Sequence, residues 1–119
     1  MNFDTLREYA LNKKHVTESQ PFGDDVIVFK VMDKIFMMMD FEHPTNVNLK
    51  CDPELAVELR ERYNAVLPGY HMNKTHWNTV VLDNTIPPKE ILKMIDNSYE
   101  LIVKAFPKST REKYFSSIK

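Results

Sequence analysis

Ile91, Ile95, Tyr99, Ile102 and Phe106 recur at steps of four, four, three and four. Such spacing returns to one side of a helix at every step. It predicts a long amphipathic helix opening near Pro87-Pro88, where proline fits only the first turn, with Pro107 helping to end it. Asn46–Cys51 (NVNLKC) follows the other period. Val47, Leu49 and Cys51 point one way and Asn46, Asn48 and Lys50 the other, which predicts a strand with one buried and one polar face. Val26–Val31 (VIVFKV) and Ile35–Asp40 (IFMMMD) read as the arms of a hairpin. Between them stands Met32-Asp33-Lys34 rather than Asn-Gly or Asp-Gly, so a longer or looser connection is expected.

Two more helices have start signals. Asn2 is placed to cap one that carries Phe3, Leu6 and Ala10 on a face and fades near Lys13-Lys14. Asp52-Pro53-Glu54 opens another with a cap, a proline at the first position and an acid in the first turn; its apolar side holds Leu55, Leu59 and Tyr63. Residues 15–25 (HVTESQPFGDD), with Pro21 and Gly23, read as a loop, and Pro68-Gly69 as a turn. Asn78–Asp83 (NTVVLD) reads as a strand, and Tyr70–Trp77 before it fits a strand or a helical turn. The order is helix, two or three strands, helix, one or two strands, helix. It predicts an α+β two-layer domain with a largely antiparallel sheet covered by helices on one face.

The 119 residues suit a single domain, with a core over about residues 1–106 and a basic tail over 107–119. A chain this long can bury a core without a metal or disulfide. Glycine occurs only at Gly23 and Gly69, which excludes a glycine-rich phosphate loop and a dinucleotide fingerprint. A single cysteine, no leader-like opening and no apolar run near the ~20 residues of a membrane span set the expectation of a cytoplasmic protein that engages no membrane. The net charge is −1, unevenly spread. Residues 1–61 carry seven Lys/Arg against twelve Asp/Glu, and residues 62–119 carry nine against five. The basic half hints at an anionic partner.

That half holds the segment densest in functional side chains, PGYHMNKTHWNTVVLD from Pro68 to Asp83. His71 and His76, with Cys51 and His43 elsewhere, make half of a zinc pattern, so no metal is expected. Cys51 with a histidine and an asparagine is the cast for thiol chemistry, but it falls on the apolar side of its strand, where cysteine acts as a small hydrophobe. Asp24-Asp25 sits in a loop and makes no convincing acid–base pair. Met37-Met38-Met39 alternates across a strand and so forms no single ligand set; one or two are expected in the core. Nucleic-acid contact fits better. Lys74 suits a phosphate, Asn73 and Asn78 suit base edges or backbone, and His76 and Trp77 suit stacking, with Asn46, Asn48 and Lys50 alongside.

The runs PFG at Pro21–Gly23, VFKV at Val28–Val31, VNLKCDPELAVELRERY at Val47–Tyr63, PGYHMNKTHWNTVVLD at Pro68–Asp83 and IDNSYELIVK at Ile95–Lys104 resemble the MmcQ/YjbR family over almost the whole chain. The resemblance implies a CyaY/frataxin-like α+β fold and DNA binding through a double-wing surface of β-hairpins. Frataxin's iron binding is not carried over with the fold: Asp4 and Glu8 stand beside Arg7 in place of an acidic ridge. The chain departs from the pattern at Asn12–His15, where relatives have a short proline/glycine turn, and at Met32–Lys34, where relatives have glycines. The expectation is a monomeric, non-catalytic DNA-binding protein without cofactor. Its contacts would be Lys50, Asn73, Lys74, His76 and Asn78, supported by Asn46, Asn48, His71 and Trp77. The alternative is a module for a small molecule or a protein partner, with a pocket at the sheet edge near Tyr70 and Trp77.

Overall fold

The computed structural model describes residues 1–69 and 72–115. Helix α1 spans Phe3–Leu11, and Asn2 caps it by accepting from the Thr5 amide. Strands β1 (Val16–Ser19), β2 (Val26–Val31), β3 (Lys34–Asp40) and β4 (His43–Lys50) follow as an antiparallel meander. Helix α2 (Pro53–Arg62) comes next, then β5 (Val66–Pro68), β6 (Trp77–Val81), α3 (Pro88–Lys104) and α4 (Lys108–Phe115). The sheet runs β1-β2-β3-β4-β6-β5, antiparallel throughout, so the expected α+β class with an antiparallel sheet is what forms.

The periodic segments fold as their patterns dictate. Ile91, Ile95, Tyr99 and Ile102 of α3 are buried against Val47 and Leu49 of β4 and Phe29 and Val31 of β2. Met37 and Met39 are in the core, while Met38 points the other way and is half-exposed. Asp52 accepts from the Glu54 and Leu55 amides and so caps α2.

Four segments differ from expectation, each for a local reason. The 15–25 segment contains an edge strand, β1, paired from Val16↔Val31 to Ser19↔Val28. Its periodicity is too short to read, but the partner strand supplies hydrogen bonds that a loop would have to find in water. The β2–β3 link is a tight two-residue turn, not a loose one: Met32 and Asp33 both take positive φ, 47° and 70°. This is the backbone a two-residue hairpin demands, here adopted without glycine. Pro68, expected in a turn, ends β5 instead; Gly69 donates to the Trp77 carbonyl at 2.9 Å. A Cβ at Gly69 would sit 2.8 Å from the Trp77 Cβ, so only glycine allows this approach. The expected tail carries α4, and Phe115 is buried against Phe106 and Tyr99, with His15 edge-on to it.

The register of β2 on β3 slips between Phe29 and Lys30, which pair with Met37 and Ile35. Phe36 is therefore an extra residue, a bulge that turns both Phe36 and Met37 into the core. The fully buried Ser98 of α3 answers the disrupted ladder. Its Oγ donates to the Phe36 carbonyl at 2.6 Å and accepts from the Lys50 amide at 3.0 Å. At the opposite margin, Arg7 of α1 forms a two-pronged contact with the Glu18 carboxylate of β1, with Nε at 2.7 Å. Arg7 thereby holds the Glu18 carboxyl below the usual carboxylate range, in spite of partial burial.

Ser98→Ala strands a buried donor and a buried acceptor; unfolding in urea should show a loss of about 2 kcal/mol or more with unchanged m-value. A Glu18 pKa depressed by folding stabilises the protein above the unfolded carboxyl value of ~4.3 and stops doing so as pH falls. Urea midpoints of wild type and Glu18→Gln should therefore differ at pH 7, the gap narrowing as pH falls below the unfolded value of ~4.3 and closing only beneath the lower folded pKa.

Candidate functional site

A groove of about 510 Å³ opens at the end of the sheet where β3 begins and β4 finishes. One wall is polar: the cationic Lys34 follows the β2–β3 turn, the cationic Lys50 ends β4, and the His76 imidazole immediately precedes β6. The other wall is apolar, built from Leu101, Ile102, Ala105 and Phe106 at the C-terminal end of α3. Asp52 and Pro53 close one side. The Asp52 carboxylate caps α2 and makes no ion pair with either lysine, so the groove lining carries two lysines against one acid. Among the described residues Lys34 and Lys50 form no ion pair, unlike Arg7 with Glu18, Lys13 with Asp96 and Arg62 with Glu58. Two lysines and an imidazole thus share a concave surface with aliphatic and aromatic side chains.

The five residues expected to contact a partner separate sharply. Lys50 and His76 line the groove. Asn73 faces solvent, but its Oδ1 accepts from the Thr75 and His76 amides at 2.9 and 3.3 Å, so it shapes the turn that presents His76. Lys74 is exposed and its Nζ reaches back to the Gly69 carbonyl at 3.3 Å, away from the groove. Asn78 cannot read an external partner. It is 2 % exposed, accepts from Arg60 Nε at 2.7 Å and donates to the Ala56 carbonyl at 3.4 Å. The strand pairing explains the error: Asn78 lies opposite Leu49, on the helix side of the sheet, where an unbonded amide would be costly. Arg60 also reaches the Lys74 and Trp77 carbonyls and so clamps α2 to the start of β6.

The supporting residues lie elsewhere. Asn46 and Asn48 are on the face of β4 away from the core, and the Asn48 Oδ1 accepts from Thr79 at 2.5 Å. Trp77 is half-buried opposite Lys50, braced against Gly69. His71 and Tyr70 are outside the described residues, and the pocket expected beside Tyr70 and Trp77 lies outside them with Tyr70; the groove meets this segment at His76. Sequence reasoning missed Lys34, which at the very start of β3 carries no periodic signal. It also took Ile102 and Phe106 only as core positions, where they double as groove wall.

Cys51 is 6 % exposed and lines a narrow slot between α2 and α3 together with Leu55, Leu59, Asn78 and Met94. Burial, with Asp52 nearby, pushes its thiol up to about 11, so at neutral pH it is protonated and unsuited to nucleophilic attack. Its tie to His76 is through the backbone, Cys51 N to His76 O at 2.8 Å. Among the described residues no group of three or more His, Cys, Asp or Glu is placed to hold a metal ion, and no helix is long and apolar enough to cross a membrane.

The YjbR family model matches residues 11–101. The chain is 34 % identical to a protein described as "Uncharacterized protein YjbR" from Escherichia coli K12, covering 94 % of this chain and 96 % of that one. A 55-residue stretch is 49 % identical to Bacillus subtilis YyaQ, covering 46 % of each chain. The crystal structure of Deinococcus radiodurans protein DR2400 superposes with a TM-score of 0.87 at 37 % identity, over 93 % of this chain and 86 % of that one. A Pseudomonas syringae protein superposes with a TM-score of 0.73 at 32 % identity, over 85 % and 98 %. With the family model covering all six strands, α2 and most of α3, the chain belongs to the YjbR family.

Proposed function

We propose that the protein is a binding module whose ligand is an anion carrying an apolar body, seated in the groove at the end of the sheet. The single observation behind this reading is the pairing of Lys34 and Lys50, which form no ion pair among the described residues, and His76 with Leu101, Ile102 and Phe106 across about 510 Å³. That volume is within the range of small-molecule sites, which are mostly apolar with a few converging polar groups. The lysines and imidazole would hold the charged end by charge-assisted hydrogen bonds. The apolar wall would take the rest. No nucleophile or acid–base pair is part of this reading, so binding without catalysis stands as the proposal.

DNA binding, the function implied by the family resemblance, draws on the same cations. In a double-wing arrangement the β2–β3 hairpin would be one wing, with Lys34 beside its tip. It has less support than the small anion. Asn78 is buried, Asn73 is spent on its own turn, and a duplex footprint calls for more phosphate contacts than Lys34, Lys50 and Lys74 provide.

Titration with anilinonaphthalene sulfonate, an apolar anion, tests the reading. Saturable binding is expected, weakened roughly tenfold by Lys50→Ala or Lys34→Ala, as for one lost charge-assisted hydrogen bond. Leu101→Asn should weaken it as well, and Lys74→Ala should leave it unchanged. Binding indifferent to Lys34, Lys50 and Leu101 overturns the proposal. Tight duplex binding with a steep salt dependence, flattened by Lys50→Ala and Lys74→Ala, moves the function to nucleic acid.

A further inference from the structure

The opposite end of the sheet has the reverse character. There the β1–β2 and β3–β4 connections lie side by side, joined by the Phe41 amide donating to the Asp25 carbonyl at 2.7 Å. Two large apolar side chains stand out from them: Phe22 is 66 % exposed and Phe41 is 48 % exposed. Around them are the exposed Asp24, Asp25 and Glu42 and the half-exposed Asp40. Neither 15–29 nor 35–49, the stretches that carry these connections, contains a single Lys or Arg. His43 is held beside Asp40 at 3.3 Å, and Phe41 stacks on Phe3 of α1 with ring centroids 5.1 Å apart.

The loops are also braced. Gln20 Nε2 donates to the Asp24 carbonyl at 2.9 Å, and the Gly23 amide donates to the Gln20 carbonyl. Gly23 takes a φ of +111°, a conformation that a side chain would strain, and this turns the chain directly after Phe22. Phe22 is thus displayed on a short, internally bonded loop. An exposed aromatic on an ordered support, rimmed by charge of one sign, is the pattern of an interaction surface.

We propose that the paired connections 20–25 and 40–43 dock a positively charged segment of a partner protein, with Phe22 and Phe41 as apolar anchors and Asp24, Asp25 and Glu42 as its counter-charges. The sign of the charge selects this occupant. Acids around the aromatics repel the phosphates of nucleic acid and the headgroups of anionic membranes. They attract Lys and Arg, whose long apolar stems also cover aromatic rings. The surface is independent of the groove, which lies at the other end of the strands.

The test uses the whole protein and a labelled synthetic peptide of alternating Arg and Leu, with a Glu/Leu peptide as control. Saturable binding of the Arg/Leu peptide alone is expected, with amide shift changes centred on 22–25 and 40–43. Phe22→Ser and Asp24→Asn/Asp25→Asn should each weaken it on the order of tenfold, and removal of two acids from α2 by Glu58→Gln/Glu61→Gln less than twofold. Phe22 and the two aspartates are exposed, so these variants should keep the wild-type urea midpoint. Absence of saturable binding overturns the proposal, as does equal loss in the α2 variant, which would mark the binding as unspecific charge attraction. Concentration-dependent self-association abolished by Phe22→Ser overturns it in favour of a second copy. Binding to phosphatidylglycerol vesicles abolished by Phe22→Ser overturns it in favour of a lipid surface.

Discussion

The Ser98 hydroxyl holds together the part of the molecule where function is proposed. It sits on α3 yet bonds two strands, donating a hydrogen bond to the Phe36 carbonyl on β3 and accepting one from the Lys50 amide on β4. Both backbone groups need it. The bulge at Phe36 disrupts the β2–β3 ladder, and β4 is leaving the sheet at Lys50. A hydroxyl can donate and accept at once, so one buried side chain meets both demands without introducing charge. One helical turn further on, Leu101 and Ile102 become the apolar wall of the groove, and Lys50 itself is in the facing wall. The distance between the two walls is therefore set by a residue that lines neither.

A second bracket fixes the adjoining side. Asn78 and Arg60 bond each other, and Arg60 continues to the Lys74 and Trp77 carbonyls, which ties α2 to the start of β6. Asn73 caps the turn just before it. Asn73 and Asn78 were expected as partner contacts; in the fold both bond the backbone or Arg60 around the segment that presents His76. Their shared reason is that residues 72–76, leading into β6, lie outside the strand ladder, so side chains supply partners for the backbone.

The unequal charge of the two halves of the sequence takes on a spatial meaning. Four acids of the first half, Asp24, Asp25, Asp40 and Glu42, stand around Phe22 and Phe41 where the meander turns, while Lys34 and Lys50, also from the first half, end up beside His76 at the far end of the same strands. Antiparallel pairing does this. Consecutive connections alternate between the two ends of a meander, so a charge pattern along the chain becomes a polarity along the strands.

The sequence alone determined the class and most of the elements. Helical period at 91–106, alternation at 46–51 and the Asn2 and Asp52 caps are local signals, and local physics suffices to honour them. The run from Val47 to Asp83 was distinctive enough to point to the family. Only the tertiary structure decided the rest. The edge strands β1 and β5 are too short to show a period and exist because a neighbour completes their hydrogen bonds. Phe115 is buried because Phe106, Tyr99 and His15 leave a place for it. Whether a polar side chain serves a partner or the backbone depends on which face its strand turns inward. Register fixed that for Asn78, and register is a property of two strands that neither carries by itself.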